Sequence, residues 1–228
     1  MNDYIAFSAY FGAALTLIIY VVSFRISDRI GHPLANPILI CLALLIGALL
    51  IFDIDYDAYN QSARYITYLL TPATACLALP LYRQIQKLRE YPLAIVAGIL
   101  TGVAVNALCV LAVALVFRLG HYDFVTLIPK SVTGAVVMPL AEELGGGITM
   151  AAISITGIFG NILGPQVLRW FHVTDPVAQG VAMGCGSHAF GTVRALEMGE
   201  VEGAMGSLSL VITALLTVVI APFLGNLI

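Results

Sequence analysis

Two polar clusters interrupt the otherwise apolar second half of this 228-residue chain, and their residue types are those that hold an anion. The first is Ile128-Pro129-Lys130-Ser131-Val132-Thr133-Gly134. Proline lacks a backbone donor and disfavours helix before it, so a helix is predicted to begin near Pro129. Its free N–H groups would then stand beside an ammonium and two hydroxyls, a combination that suits a carboxylate. The second cluster runs from Gly184 through Ser187, His188 and Thr192 to Arg194. On a continuous helix Ser187 and Arg194, seven apart, share one face, and His188 and Thr192, four apart, share another. Glycines at 180, 184, 186 and 191 either let helices approach closely or unwind the segment.

Each residue also has a structural reading. Lys130 could snorkel from a helix end to the interface, and His188 could be a buried imidazole bonded to backbone. A charge at the bilayer centre costs about 2.5 to 3.5 kcal/mol on insertion scales, so Lys130 and Arg194 together ask for an anionic ligand or an acidic partner. Glu142, which with Glu143 precedes Gly145-Gly146-Gly147, is the candidate charge partner; both glutamates otherwise read as solvated loop carboxylates. Asn106 and Asn161 lie in apolar runs and read as hydrogen bonds between helices.

What must position these groups is a membrane bundle. Hydrophobic residues make up 60% of the chain and charged ones 10%, against about 25% charged in a soluble domain. The mean hydropathy is +0.98. The runs Tyr4 to Phe24, Pro37 to Phe52, Ile66 to Leu81 and Leu93 to Phe117 are apolar on all sides, which suits spanning helices and not alternating barrel strands. Past Arg118 the segments Leu127 to Leu140, Ile148 to Leu168, Val177 to Leu196 and Ala204 to Leu227 are interrupted by glycine, proline and small polar residues, so broken helices are expected. The fold class is therefore all-α, a single polytopic bundle over 1–228 of six to eight segments: six crossings if the first and third of these are re-entrant, eight if both cross. Arg25 and Arg29 after the first segment, and Arg83, Lys87 and Arg89 after the third, put those loops in the cytoplasm and the N-terminus outside. Met1-Asn2-Asp3 runs straight into apolar sequence without a basic leader, so the first segment reads as retained.

Thr74, Pro80, Leu81, Gly98 and Ile99 recur as Thr133, Pro139, Leu140, Gly157 and Ile158 at one ungapped offset of 59 residues, as an internal repeat would produce. Transporters are often built from such duplicated units, with a broken helix in each.

Several chemistries are disfavoured. The four cysteines stand singly in apolar stretches without ligand spacing, so they read as packing residues and no metal or other cofactor is expected. A net charge of −3 lacks the basic footprint of nucleic-acid binding. Gly184-x-Gly186-x-x-Ala189 lacks the strand a dinucleotide fingerprint needs. Lys130 and Ser131, adjacent on a helix, would point about 100° apart, which disfavours a Ser-Lys hydrolase and an enzyme in general.

With Leu127 to Thr133, Met138-Pro139-Leu140-Ala141-Glu142, Leu144-Gly145-Gly146, Ser187-His188-Ala189-Phe190-Gly191-Thr192, Arg194 to Glu197, Glu202-Gly203-Ala204 and Ala221-Pro222-Phe223, the chain resembles the LrgB/CidB family, which includes the YohK-type proteins and the second half of the plastid glycolate/glycerate transporter. It departs from the usual pattern after Thr133, where Gly134-Ala135 replaces Thr-Pro. The resemblance implies a multi-pass protein of the bacterial inner membrane with one of two roles. The first is transport of small monocarboxylates such as glycolate, glycerate, pyruvate or lactate, with ion coupling open. There Lys130 and Arg194 would supply charge, Ser131, Thr133, Ser187 and Thr192 hydrogen bonds, and His188 a proton. The alternative is an antiholin-like regulator of murein hydrolase export and autolysis. The resemblance also implies a smaller LrgA/CidA-type holin-like partner. A homo-oligomer is left open.

Overall fold

The computed structural model describes residues 10–31, 35–76, 78–132 and 147–225, all helical or connecting. The molecule divides into two compact units, Met1–Ala75 and Cys76–Ile228.

In the first unit α1 (Phe11–Ile30) and α2 (Pro37–Ile51) follow one another. α1 closes on Gly31, whose φ of 62° is the left-handed cap glycine favours, its N–H bonding Ser27 O at 3.0 Å. The helix thus runs past the expected end at Phe24, and Arg25 and Arg29 sit on its last two turns and not in a loop. α2 starts at an Asn36 cap whose side chain accepts from Ile38 N at 2.9 Å. With 15 residues it rises only about 22 Å. α3 (Tyr56–Tyr68) is amphipathic: Asp57, Asn60, Gln61 and Arg64 are exposed, while Ala58, Ser62 and Ala63 are buried. It docks on α1, with Gly12 N donating to Ser62 Oγ at 2.9 Å and Thr16 Oγ1 bonded to Tyr59 Oη at 2.6 Å. A Cβ at Gly12 would lie 2.6 Å from Tyr59 O, so only glycine permits this approach.

The expected span Ile66 to Leu81 is not one helix. α3 ends at Tyr68, and α4 (Leu70–Cys76) and α5 (Ala78–Arg83) follow as separate short helices. Each carries a proline, Pro72 or Pro80, in its first turn, where the missing N–H is harmless; in a continuous helix both would break the ladder.

The second unit holds α5, α6 (Ile85–Glu90) and α7 (Pro92–Phe117), the last matching the expected Leu93 to Phe117. Arg118, φ 52°, caps α7 and turns the chain back into α8 (His121–Leu127). α8 returns along α7, burying Phe124 and Ile128 against Val110 and Ala114. A 3-10 turn, Ile128–Ser131, ends it, and Val132 leaves in extended conformation. α9 (Gly147–Trp170), α10 (Pro176–Met198) and α11 (Glu200–Gly225) complete the described chain. Among the described residues four helices are long and apolar enough to cross a membrane: Phe11–Ile30, Pro92–Phe117, Ile148–Trp170 and Glu200–Ala221.

α10 is not straight. Ser187 (φ −136°, ψ 20°) and His188 (φ 41°, ψ −132°) leave helical geometry, and the two arms fold back on each other. In a straight helix Met183 and Gly191 would stand about 12 Å apart, yet a Cβ built at Gly191 would lie 2.2 Å from Met183 O. Gly206 of α11 likewise meets both arms: its Cβ would be 3.5 Å from Gly180 O and 3.3 Å from Ala195 Cβ. Met183 and Ala195 share one buried cluster with Leu168. Pro176–Met198 is therefore a helical hairpin with its tip at Ser187–His188, so the third of the interrupted segments is broken as expected, whereas the second and fourth lie in the single helices Gly147–Trp170 and Glu200–Gly225, contrary to expectation. Small residues make the turn and its packing feasible.

Candidate functional site

The site is assembled from α7, the 3-10 turn and the hairpin tip. Asn106 lies about 21 Å along α7 from its first residue, near the middle of the helix. α8 approaches from the opposite end of α7 and brings Lys130 and Ser131 to the same level. Lys130 Nζ donates to Asn106 Oδ1 at 2.6 Å, and Ser131 Oγ donates to the same oxygen at 2.8 Å. One amide oxygen thus carries an ammonium and a hydroxyl, a neutral answer to an intramembrane charge. Ser131 is buried and Lys130 half-buried.

Lys130 and Ser131 form one end of a cavity of about 770 Å³ between α7 and the first hairpin arm. Asn106, Cys109, Cys185 and Gly186 line it near that end, and Tyr91 and Asp175, at the starts of α7 and α10, line the other.

At the hairpin tip Ser187 and His188 are buried, His188 to 1% exposure. Its Nε2 meets Ile153 O of α9 at 3.0 Å, and its ring stands edge-on to Phe190. Glycines of α9 make room: a Cβ at Gly157 would come 2.6 Å from His188 Cε1, and one at Gly160 would overlap Ser187 Oγ. Thr192 Oγ1 donates to His188 O at 2.9 Å and to Gly206 O at 3.3 Å. Asn161 Nδ2 donates to Phe190 O at 2.9 Å, so Asn161 and Asn106 both bond between elements as read from the sequence.

Other expectations change. No helix begins at Pro129; the residue lies in a 3-10 turn that closes α8, so the free N–H groups expected beside Lys130 are not offered there. Ser187 and Arg194 do not share a helix face, because the chain reverses immediately after Ser187. Arg194 is half-buried and pairs with Glu197 at 2.5 Å, three residues on, and does not line the cavity that holds Lys130. Thr192 is spent on hairpin backbone. Cys185 is a packing residue, buried with Thr213 Oγ1 donating to its sulfur at 3.3 Å, whereas Cys76 and Cys109 are exposed. Thr133 and Glu142 lie outside the described residues, as do Pro139 and Leu140 of the suspected repeat. Gly98 and Gly157, equivalent in that repeat, both face α10, on Val181 and on His188 with Phe190. No group of three or more His, Cys, Asp or Glu is placed to hold a metal among the described residues. Asn106 was read as a bond between helices, but its role as the acceptor for Lys130 was not foreseen, since a lone amide in an apolar run does not name its partner.

A family model described as the LrgB-like family matches residues 16–227. The chain is 37% identical over 226 residues to "Holin-like protein CidB" of Staphylococcus epidermidis, covering 98% of each chain. The protein of the same name from Staphylococcus aureus matches at the same identity and coverage. "Uncharacterized protein YwbG" of Bacillus subtilis is 31% identical over 212 residues, 92% of this chain and 94% of that one. No solved structure matches. These relatives overturn the reading as a small-monocarboxylate carrier: the chain is similar over its full length to proteins named as holin-like. Of the two cations drawn into one carboxylate site, Lys130 lines the cavity and Arg194 does not.

Proposed function

Because this multi-pass bacterial membrane protein belongs to the LrgB-like family, we propose that it is a holin-associated regulator of murein hydrolase export and autolysis, acting with a smaller LrgA/CidA-type membrane protein. The observation that carries this reading is 37% identity across 98% of both chains to staphylococcal holin-like proteins. Likeness over both units, and not over the polar site alone, is what a shared membrane assembly would require. The exposed apolar faces of α1 and α7, including Leu17, Ile18, Leu108 and Leu115, offer surface for lipid or for partner helices. The buried groups at the level of Asn106 then serve to fix the shape of the bundle.

The test is complementation. Expressed in a Staphylococcus strain lacking its own CidB, the protein should restore that strain's rate of detergent-induced autolysis and its release of murein hydrolase activity. It should also co-purify with the smaller holin-like protein from mild detergent. An unchanged lysis rate with the protein present in the membrane would count against the proposal.

A further inference from the structure

The hairpin tip contains an arrangement that its packing alone does not require. Ile153 O is a carbonyl and can only accept, so His188 Nε2 at 3.0 Å must carry the hydrogen. The neutral ring then leaves Nδ1 as a bare acceptor. That atom is buried and has no hydrogen-bond partner among the described residues. The residue also holds φ 41° and ψ −132°, a backbone region that non-glycine residues avoid. Strain and an orphaned ring nitrogen coincide on one residue, at the point where the hairpin meets the middle of α9.

We infer that His188 is a proton-operated latch on the helical hairpin: neutral, its Nε2–H pins the tip to Ile153 of α9; protonated at Nδ1, it releases the tip. Protonation adds a second N–H for which the described residues offer no acceptor, and it places a full charge on a buried ring. Lys130, on the 3-10 turn, is the charged group whose field reaches the imidazole, and it is also a cation. The Ile153 carbonyl favours the charged ring through Nε2–H, but burial outweighs it, and no carboxylate faces the imidazole among the described residues. α9 presents Ile153 and Gly157, and α11 presents Gly206 beside Thr192. On α10 itself stand Phe190, Thr192 and the Cys185 thiol, which is held by Thr213. Arg194 is paired outside with Glu197. A released tip can turn Nδ1 to water and relax its backbone, so the released state binds one more proton than the latched one. Acid therefore favours release. This inference stands on the geometry of the tip and does not depend on the lysis reading.

Hydrogen exchange read by mass spectrometry on the full-length protein in lipid nanodiscs tests it, at pH 8 and pH 5, with rates corrected for intrinsic chemistry. Peptides covering Gly184 to Gly191 should exchange at least ten-fold faster at pH 5, while α7 peptides stay unchanged. His188→Gln, whose amide can still donate to Ile153 O, should abolish the pH dependence; His121→Gln and His172→Gln should keep it. If His188→Gln does not fold, His188→Asn serves in its place. Equal corrected rates at the two pH values in the unmodified protein would overturn the latch. So would acid acceleration that persists in the folded His188 variant.

Discussion

Asn106 holds Lys130 by a single amide oxygen, 2.6 Å from the ammonium, and the same oxygen serves Ser131. Replacing Asn106 with Leu strands both donors, so the variant should lose about 1 to 3 kcal/mol or more of stability. Lys130→Met in the Asn106→Leu background should recover part of that loss, because removing both members of a buried polar pair costs less than removing one. Thermal unfolding of the four-member mutant cycle in one detergent would measure the coupling.

Glycines at the tip divide sharply. A Cβ at Gly160 would run into Ser187, whereas one at Gly186 meets nothing within 4 Å. Gly160→Val should therefore prevent the hairpin from closing and leave little folded protein by size-exclusion chromatography. Gly186→Ala should give a normal yield and a melting temperature at or above that of the parent, alanine being the better helix former.

The Arg194–Glu197 pair has side chains 40% and 56% exposed. Exposed pairs contribute about 0 to 1 kcal/mol. Arg194→Ala should leave the unfolding temperature close to that of the parent, and the small difference should vanish in high salt.

Because α10 folds back on itself, the chain before it and the chain after it should lie on one face of the membrane. Single cysteines at Thr174 and Glu200, in a background with the native cysteines replaced by serine, should react with an impermeant maleimide from the same side. A cysteine at Arg118, at the far end of α7 from Tyr91, should react only from the other. Opposite labelling of Thr174 and Glu200 would contradict the hairpin.

How much of this was legible depends on where the deciding force lies. α7 was read almost to the residue, since Pro92 and Arg118 bracket a run apolar on every side. α3 was not, because its alternation of Tyr56 and Tyr59 with Asp57 and Asn60 is a half-polar pattern that hydropathy averages away. Arg25 and Arg29 suit the negative end of a helix as well as a loop, so α1 outran its expected end. The break in α10 was foreshadowed by its glycines, but its position at Ser187–His188 is set by Gly157 and Gly160, roughly thirty residues earlier on another helix. No local pattern could have located it. Arg194 shows the converse: Glu197 stood three residues away, a spacing that pairs charges on a helix surface, and this local signal was the correct one.

The hairpin also constrains how the protein can be made. Each arm of α10 has about eleven residues and rises about 16 Å, roughly half the hydrocarbon thickness. Neither arm offers a translocation machine a segment it could release into lipid by itself, and the backbone groups at the tip would be unsatisfied there. The tip's surroundings come from α9, already synthesised, and from α11, which follows. The ribosome must therefore finish α11 before the hairpin can be seated, so during synthesis this stretch waits at the membrane surface for the last helix to complete its berth.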